Sequence, residues 1–230
     1  MKGILFGIGV GPGDPELLTI KAINAITDCD VIAVPDSGAE NQVALGIASK
    51  YIDKKPVMLL DLPMTCDKVK LQEQREVAVD SICIELDKGK KVGFLTIGDP
   101  MIYSTYSYLH TMIISRGYKV KVIPGITSFC AAAAALGEPL CEGNQALHII
   151  PALYDNTENA LKLDGTKVLM KSNKKLNEIV ALLREKDIGA KMAQRVGMDG
   201  QRLYQSISTE TDMQADYFSV VIVGSSNEDG

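Results

Sequence analysis

The chain lacks tryptophan altogether, has only two histidines and four phenylalanines, and carries no excess of basic residues. Its net charge is −5, and basic residues are not interleaved with aromatic ones, which argues against nucleic acid as the main partner. No apolar stretch approaches the roughly 18 residues of a membrane span, and the amino terminus enters an apolar run after a single lysine, so neither a membrane segment nor a secretory leader is expected. An anionic ligand must therefore be attracted by local positive charge.

Paired cysteines and clustered metal ligands are also missing. The five cysteines are Cys29, Cys66, Cys83, Cys130 and Cys141. They are widely spaced and contain no Cys-x-x-Cys motif, which predicts neither a disulfide framework nor a zinc site. We interpret them as reduced packing residues of a cytoplasmic protein. The two histidines, His110 and His148, have no carboxylate or cysteine close by in the sequence, so a structural role is expected for both. No Walker-type phosphate loop is present.

A short apolar run, residues 92–97, stops at Gly98-Asp99-Pro100, and a second apolar pattern begins at once. The run has the length of a buried strand. We expect Asp99 to cap and Pro100 to open a helix, because proline at the first helical position loses no needed N–H group. This puts a glycine and a carboxylate at the carboxyl end of a parallel strand, where open α/β sheets bind ligands. The alternative is an ordinary strand-to-helix turn with good capping residues.

The same pattern, an apolar run that ends in a Gly-Asp-Pro motif, occurs at the start of the chain. Residues 3–10 form another apolar run, which ends in Gly11-Pro12-Gly13-Asp14-Pro15. Two strand ends are thus predicted to let a ligand approach the backbone closely, which favours a ligand cleft. The glycines at positions 7, 9 and 11 match a dinucleotide fingerprint only in part, because Pro12 or Asp14 takes the place of its third glycine. Binding of NAD is therefore not favoured.

Strand and helix patterns alternate through residue 115, which predicts a parallel α/β sheet with right-handed crossovers. A boundary is predicted near Gly117, which gives an amino-terminal α/β domain of residues 1–115 and a carboxy-terminal α/β domain of residues 116–230. The strands predicted in the second half are residues 145–151, 166–170, 190–196, 202–207 and 217–223. An alanine-rich helix from Cys130 to Leu136 precedes them, and a helix over residues 174–186 lies among them. The second domain is therefore predicted to contain a mixed sheet.

Three motifs, taken in order, resemble those of the tetrapyrrole (corrin/porphyrin) methyltransferases. They are Gly7-x-Gly9-x-Gly11-Pro12-Gly13-Asp14-Pro15, then Gly98-Asp99-Pro100, then Pro124-Gly125-Ile126-Thr127-Ser128. Residues 98–105, 148–152 and 168–171 look most similar to the precorrin-2 or cobalt-factor II C20-methyltransferases of cobalamin (vitamin B12) biosynthesis. The resemblance implies a two-domain tetrapyrrole methylase fold with the site in the interdomain cleft, S-adenosylmethionine as methyl donor with S-adenosylhomocysteine as product, an anionic tetrapyrrole substrate, and a homodimer.

The resemblance also implies the site residues. Those assigned to the cofactor are Pro12, Gly98, Asp99, Ile102, Tyr103, Thr127, Ser128, Met170 and Ala193. Their types suit this ligand, because glycine lets the backbone approach, carboxylate and hydroxyl oxygens accept from ammonium or ribose hydroxyl groups, and apolar side chains can face adenine. The structural alternative is that Ile102 and Met170 belong to the core. Lys171 and Arg195 are expected to bind substrate carboxylates, with solvated surface positions as the alternative.

Other functions remain open at this level. One is methyl transfer to another position of the tetrapyrrole, and another is a non-methylating α/β protein that binds an adenine nucleotide. No residue stands out as the base that would remove the C20 proton; Tyr103 is a candidate, with cofactor packing as the alternative role. The sequence leaves open whether the substrate is metal-free or carries cobalt.

Overall fold

Two units make up the chain, Met1–Thr127 and Ser128–Gly230. The computed structural model describes residues 2–36, 39–63, 67–151, 157–172, 175–210 and 213–224. Cys66 and Lys174, the first residue of a predicted helix, lie outside this range. The division falls after Thr127 rather than after Ser115, because residues 119–123 form a strand of the first sheet. The expected boundary near Gly117 is only the turn that leads into this strand.

The first unit alternates strands and helices. Its strands are β1 (Ile4–Gly9), β2 (Val31–Pro35), β3 (Val57–Leu60), β4 (Lys91–Thr96) and β5 (Lys119–Ile123). Its helices are α1 (Ile20–Asp28), α2 (Ala39–Ile52), α3 (Lys68–Asp87) and α4 (Tyr106–Ser115), with a short 3-10 helix at Pro15–Leu17. All strand pairs are parallel, in the order β3-β2-β4-β1-β5. The predicted parallel sheet is confirmed.

Alternate residues of the strands face two separate cores. Phe6 and Ile8 of β1 pack with α1 and α2 on one face. Leu5 of β1 packs with α3 and α4 on the other, where the buried ring of Tyr106 lies. The helices that follow β1 and β4 therefore cover opposite faces, although these two strands are neighbours in the sheet. Such a change of side is a topological switch point, and the loops that leave the two strands diverge there.

The second unit has its own sheet. Its elements are α5 (Ser128–Leu136), β6 (Leu147–Pro151), α6 (Thr157–Leu161), β7 (Thr166–Met170), α7 (Leu176–Glu185), β8 (Ala190–Gln194), β9 (Arg202–Tyr204) and β10 (Ser219–Val223). The strand order is β6-β7-β10-β8-β9, with β6 parallel to β7 and the other pairs antiparallel. The predicted mixed sheet is confirmed, whereas α6 was not predicted. One core of this unit packs α6 and α7 against Leu169, Met192 and Val221.

Candidate functional site

The two Gly-Asp-Pro motifs meet at the switch point between β1 and β4. Gly11 and Gly98 form an isolated antiparallel bridge, in which the Gly98 N–H donates to the Gly11 carbonyl oxygen at 2.8 Å. The φ angles of these glycines are +80° and +71°, in the left-handed region that favours glycine. The two loops that the sequence analysis selected are therefore held together at the carboxyl edge of one sheet, where open α/β sheets bind ligands.

A third glycine completes this edge. A Cβ atom built on Gly9 would lie 2.6 Å from the Gly98 carbonyl oxygen and 2.6 Å from the Gly125 nitrogen. A Cβ atom on Gly125 would overlap the same carbonyl oxygen. The ends of the three adjacent strands β4, β1 and β5 thus touch backbone to backbone, which only glycine permits here. The backbones of Gly9, Gly98 and Gly125 therefore form this edge of the sheet.

The Asp99 carboxylate connects two of these loops. One oxygen accepts from the Gly125 N–H at 3.0 Å, and the other accepts from the Met101 N–H at 2.8 Å. The expectation that Asp99 and Pro100 open a helix is wrong, because α4 begins only at Tyr106. In the first motif, Asp14 accepts from the Glu16 N–H at 2.8 Å and opens the short 3-10 helix.

The segment between Pro100 and α4 is an irregular loop. Tyr103 has a φ of +48°, a left-handed conformation that prevents a continuous helix from Pro100. Ser104 then accepts from the Tyr106 N–H at 3.1 Å, where the helix starts. Ile102 is half-buried, and Met101 and Tyr103 are exposed. Two of the predicted cofactor residues, Ile102 and Tyr103, therefore lie on a loop that leaves the carboxyl edge.

Two hydroxyl oxygens of the first unit are buried and have no hydrogen-bond partner among the described residues. They are Oγ1 of Thr96, the last residue of β4, and Oγ1 of Thr127. Thr127 is a predicted cofactor residue, and Pro12 is buried beside the bridging Gly11. An unpartnered buried hydroxyl group costs free energy unless water or a ligand satisfies it. The unpaired hydroxyls and the glycine-lined edge fit a ligand that carries both donors and acceptors.

Met170 and Ala193 of the second unit lie on two strands that flank β10. Met170 ends β7 and pairs with Val220 of β10, and Ala193 of β8 pairs with the same residue from the other side. Residues paired in this way project from the same face of a sheet. The structure therefore places these two predicted cofactor residues in one row on one face. Ser128, also predicted, is the first residue of α5.

Lys171 and Arg195 follow the ends of β7 and β8. Both strands are antiparallel to β10, so their carboxyl ends lie at the same edge, as expected. Both residues have left-handed φ angles, +57° and +53°, and this backbone conformation costs free energy for residues other than glycine. The Arg195 guanidinium already donates to the Asp216 carboxylate at 3.2 Å and to the Asp199 carbonyl oxygen at 3.0 Å. A ligand at Arg195 would have to share it with these groups.

The sequence analysis missed two polar residues beside this pair. Gln194 is buried, and its amide donates to Ser219 and to the Gln214 carbonyl oxygen at 2.9 and 2.8 Å. The Ser172 hydroxyl is fully buried and without a partner among the described residues. A polar residue inside or directly after an apolar strand was the available signal for both.

The expected structural histidines have local partners. His110 Nδ1 lies 3.2 Å from the Tyr106 hydroxyl, and His148 Nε2 lies 2.8 Å from the Asp164 carbonyl oxygen. Within the described ranges, no group of three His, Cys, Asp or Glu residues is arranged to hold a metal ion. No helix in the same part of the chain is long and apolar enough to cross a bilayer.

The chain belongs to the tetrapyrrole (corrin/porphyrin) methylase family, whose model matches residues 5–211. It is 38% identical to a probable cobalt-precorrin-2 C(20)-methyltransferase from Methanocaldococcus jannaschii, over 80% of this chain and 78% of the relative. It is 30% identical to a precorrin-2 C(20)-methyltransferase from Sinorhizobium sp, over 96% of this chain and 95% of the relative.

The fold agrees with this membership. A crystal structure of a Thermus thermophilus uroporphyrin-III C-methyl transferase complexed with S-adenyl homocysteine superposes with a TM-score of 0.70 at 20% identity. The match covers 96% of this chain and 97% of the other. The predicted two-unit α/β methylase fold, one parallel and one mixed sheet, is therefore confirmed.

Proposed function

We propose that this protein transfers a methyl group from S-adenosylmethionine to C20 of precorrin-2 or its cobalt complex in cobalamin biosynthesis. The observation that carries the proposal is the 38% identity over 80% of the chain with a relative named for this reaction on the cobalt substrate. A second relative, matched over nearly its whole length, is named for the metal-free substrate. The carboxyl edge of the first sheet, where the backbones of Gly9, Gly98 and Gly125 meet, supports the proposal, since open α/β sheets bind ligands at this edge.

The residues of the first unit fit S-adenosylmethionine. Its ribose hydroxyl and amino acid groups carry the donors and acceptors that the unpaired hydroxyls of Thr96 and Thr127 lack. Ile102 is half-buried and offers an apolar side chain for adenine. When bound, the cofactor supplies a methyl group on a positively charged sulfur. This sulfur is a good leaving group because it departs as a neutral thioether.

The assigned cofactor residues are Pro12, Gly98, Asp99, Ile102, Tyr103, Thr127, Ser128, Met170 and Ala193. Asp99 contributes mainly by holding the backbone of these loops in place, since its two carboxylate oxygens already accept the N–H groups of Met101 and Gly125. The main task of these residues is to hold the reacting groups in line and to exclude water, which in well-held geometries lowers a barrier by about 7–11 kcal/mol.

Lys171 and Arg195 are proposed to bind carboxylates of the anionic tetrapyrrole. The support is their position directly after two strand ends at one edge, in strained left-handed conformations that tertiary structure must maintain. A net charge of −5 makes such local cations necessary for an anionic substrate. We also propose that the protein is a cytoplasmic homodimer. Sedimentation of the purified protein tests the dimer, and cell fractionation tests the location.

The test is a methylation assay with purified protein, S-adenosylmethionine carrying an isotopically labelled methyl group, and precorrin-2 or its cobalt form. We expect the label at C20 of one or both substrates, located by nuclear magnetic resonance, and binding of S-adenosylhomocysteine but not of ATP or NAD in calorimetry. Label at another ring position would assign a different methyltransferase reaction. Binding of ATP or NAD without methyl transfer would support the nucleotide-binding alternative.

A further inference from the structure

Arg75 of α3 lies over the ring of Tyr108 of α4. Its guanidinium carbon is 3.7 Å from the centroid of the tyrosine ring, a close cation–π contact. Both helices cover the same face of the first sheet. The adjacent Gln74 donates to the Asp61 carboxylate at 2.7 Å, and Asp61 directly follows the last residue of β3. The Arg75–Tyr108 pair therefore lies toward the carboxyl edge of this sheet, the edge that carries Gly98.

Two other arginines of the chain have an anionic partner, whereas Arg75 has none among the described residues. Arg116 pairs with Glu76 and Asp80 at 2.5 Å each, and Arg195 pairs with Asp216. For Arg75 no ion pair is found with any residue in the described ranges, and its Nε atom is buried without a hydrogen-bond partner. A charged group with an unpaired buried donor is costly. The arrangement is therefore one that an incoming anion would satisfy.

An exposed apolar surface adjoins the pair along the chain. Met101 and Tyr103, on the loop that leads into α4, and Tyr108 itself are large apolar side chains that remain exposed. Aromatic and thioether side chains suit the face of a flat macrocycle, whereas a guanidinium suits a carboxylate on its rim. The surface and the arginine thus match the two chemical parts of a tetrapyrrole that carries carboxylates.

We propose that Arg75, held in place by Tyr108, binds a peripheral carboxylate of the tetrapyrrole substrate. This assignment rests on the proposed function, since it takes the same substrate, and it adds a specificity residue that the sequence motifs do not contain. The planar guanidinium offers two parallel N–H groups to a carboxylate, a geometry that lysine cannot reproduce. Stacking on Tyr108 fixes the plane before the ligand arrives, so less side-chain entropy is lost on binding.

The experiment measures equilibrium binding of precorrin-2 and of its cobalt form, by absorbance titration in the presence of S-adenosylhomocysteine. The variants are Arg75→Met, Arg75→Lys, Tyr108→Phe and Tyr108→Leu. Arg202→Met is the matched control, because Arg202 is an exposed arginine of the second unit. Thermal unfolding without substrate and calorimetry with S-adenosylhomocysteine are recorded for every variant.

Arg75→Met should raise the Kd of the tetrapyrrole about tenfold or more, the usual effect of losing a charged hydrogen bond. Arg75→Lys and Tyr108→Leu should each raise it less, while Tyr108→Phe, which keeps the ring, and Arg202→Met should leave it unchanged. The melting temperature of Arg75→Met should change little, because removal of an unpaired buried donor offsets the loss of the cation–π contact with Tyr108. Affinity for S-adenosylhomocysteine should also be unchanged.

Equal tetrapyrrole affinities of Arg75→Met and Arg202→Met would overturn the assignment. A parallel loss of melting temperature and of S-adenosylhomocysteine affinity would overturn it too, because it would show a structural role. A wild-type protein that binds the tetrapyrrole but transfers no methyl group would contradict the proposed reaction, while the ratio of Kd values would still decide the role of Arg75. Failure of the wild-type protein to bind either tetrapyrrole would refute both proposals.

Discussion

The Asp99 carboxylate accepts the backbone N–H of Gly125 at 3.0 Å and so joins the end of β4 to the end of β5. Its second oxygen accepts the Met101 N–H of its own loop. The sequence motif assigns Asp99 to the cofactor, yet the side chain also holds together the backbone that would surround the cofactor. Its loss should therefore affect stability and ligand binding together.

Asp99→Asn should lower the free energy of unfolding by about 1–3 kcal/mol, because an amide has one oxygen and its NH2 group would face a backbone N–H. Affinity for S-adenosylhomocysteine should fall as well. Asp14→Asn is the matched control, since Asp14 accepts from the Glu16 N–H with one carboxylate oxygen, and asparagine caps as well as aspartate. Urea unfolding and calorimetry measure both effects. Equal changes in the two variants would contradict the role given to Asp99.

Gly125→Ala should destabilise the first unit by about 1–3 kcal/mol, because the added methyl group would overlap the Gly98 carbonyl oxygen and both partners are backbone. It should also weaken S-adenosylhomocysteine binding. Gly46→Ala, in the exposed part of α2 with nothing within 4 Å of the added atom, should instead stabilise the protein by about 0.5–1 kcal/mol. A neutral Gly125→Ala variant would show that the strand ends do not need this contact.

Lys171→Ala and Arg195→Ala should each raise the KM for the tetrapyrrole about tenfold while the affinity for S-adenosylhomocysteine changes little. Added salt should weaken substrate binding more in the wild-type protein than in the variants. Asp216→Asn is the control for Arg195, because it breaks the same ion pair but keeps the guanidinium. Wild-type KM values and salt response in Lys171→Ala and Arg195→Ala would remove both residues from the substrate site.

The buried Cys29 thiol gives the protein a pH dependence at alkaline pH. Burial, and after it the nearby Asp28 carboxylate, raises the pKa of Cys29 to about 12. Above the usual thiol pKa of about 8.5, the unfolded chain releases this proton while the folded chain keeps it. The free energy of unfolding should therefore fall by about 1.4 kcal/mol per pH unit from pH 8.5 toward pH 12 because of this group.

Urea unfolding at several pH values between 8 and 10 measures this slope. Cys29→Ala should remove that part of the slope, and Cys130→Ala, which removes an exposed thiol, should keep it. Identical slopes in the two variants would contradict the assignment to Cys29. Cys29, Cys83, Cys130 and Cys141 are free. Cys29 and Cys83 are buried, as expected of packing residues, whereas this expectation is wrong for Cys130 and Cys141, which are exposed. Cys66 lies outside the described residues.

Local patterns in the sequence were sufficient for the strands, the parallel sheet of the first half and the glycine motifs. They failed where a distant residue decides the structure. The helix expected from Pro100 begins instead at Tyr106, and the Asp99 carboxylate is engaged by Gly125 and Met101. The expected domain boundary near Gly117 is wrong because β5 pairs with β1, a contact that spans most of the first unit.

In the candidate site, too, residues with a local sequence signal could be predicted and residues positioned by distant contacts could not. Gly98 could be selected because a glycine at a strand end has a local meaning, and Thr127 because it lies in a motif that resembles one of the family. Arg75 could not, since its stacking partner Tyr108 lies on another helix and neither residue belongs to a motif. The left-handed conformations of Lys171 and Arg195 could not be predicted from the sequence either, because lysine and arginine give no local signal for a positive φ angle.

The contact among Gly9, Gly98 and Gly125 joins the beginning, the later part and the end of the first unit. A nascent chain made only as far as α4 contains β1 and β4 but still lacks the Gly125 N–H that the Asp99 carboxylate accepts. The end of this sheet at which we propose that the cofactor binds is therefore completed last during synthesis. A cofactor that needs this end stabilises only chains in which the whole first unit has been synthesised and folded. It therefore stabilises the folded unit and does not guide the earlier steps of folding.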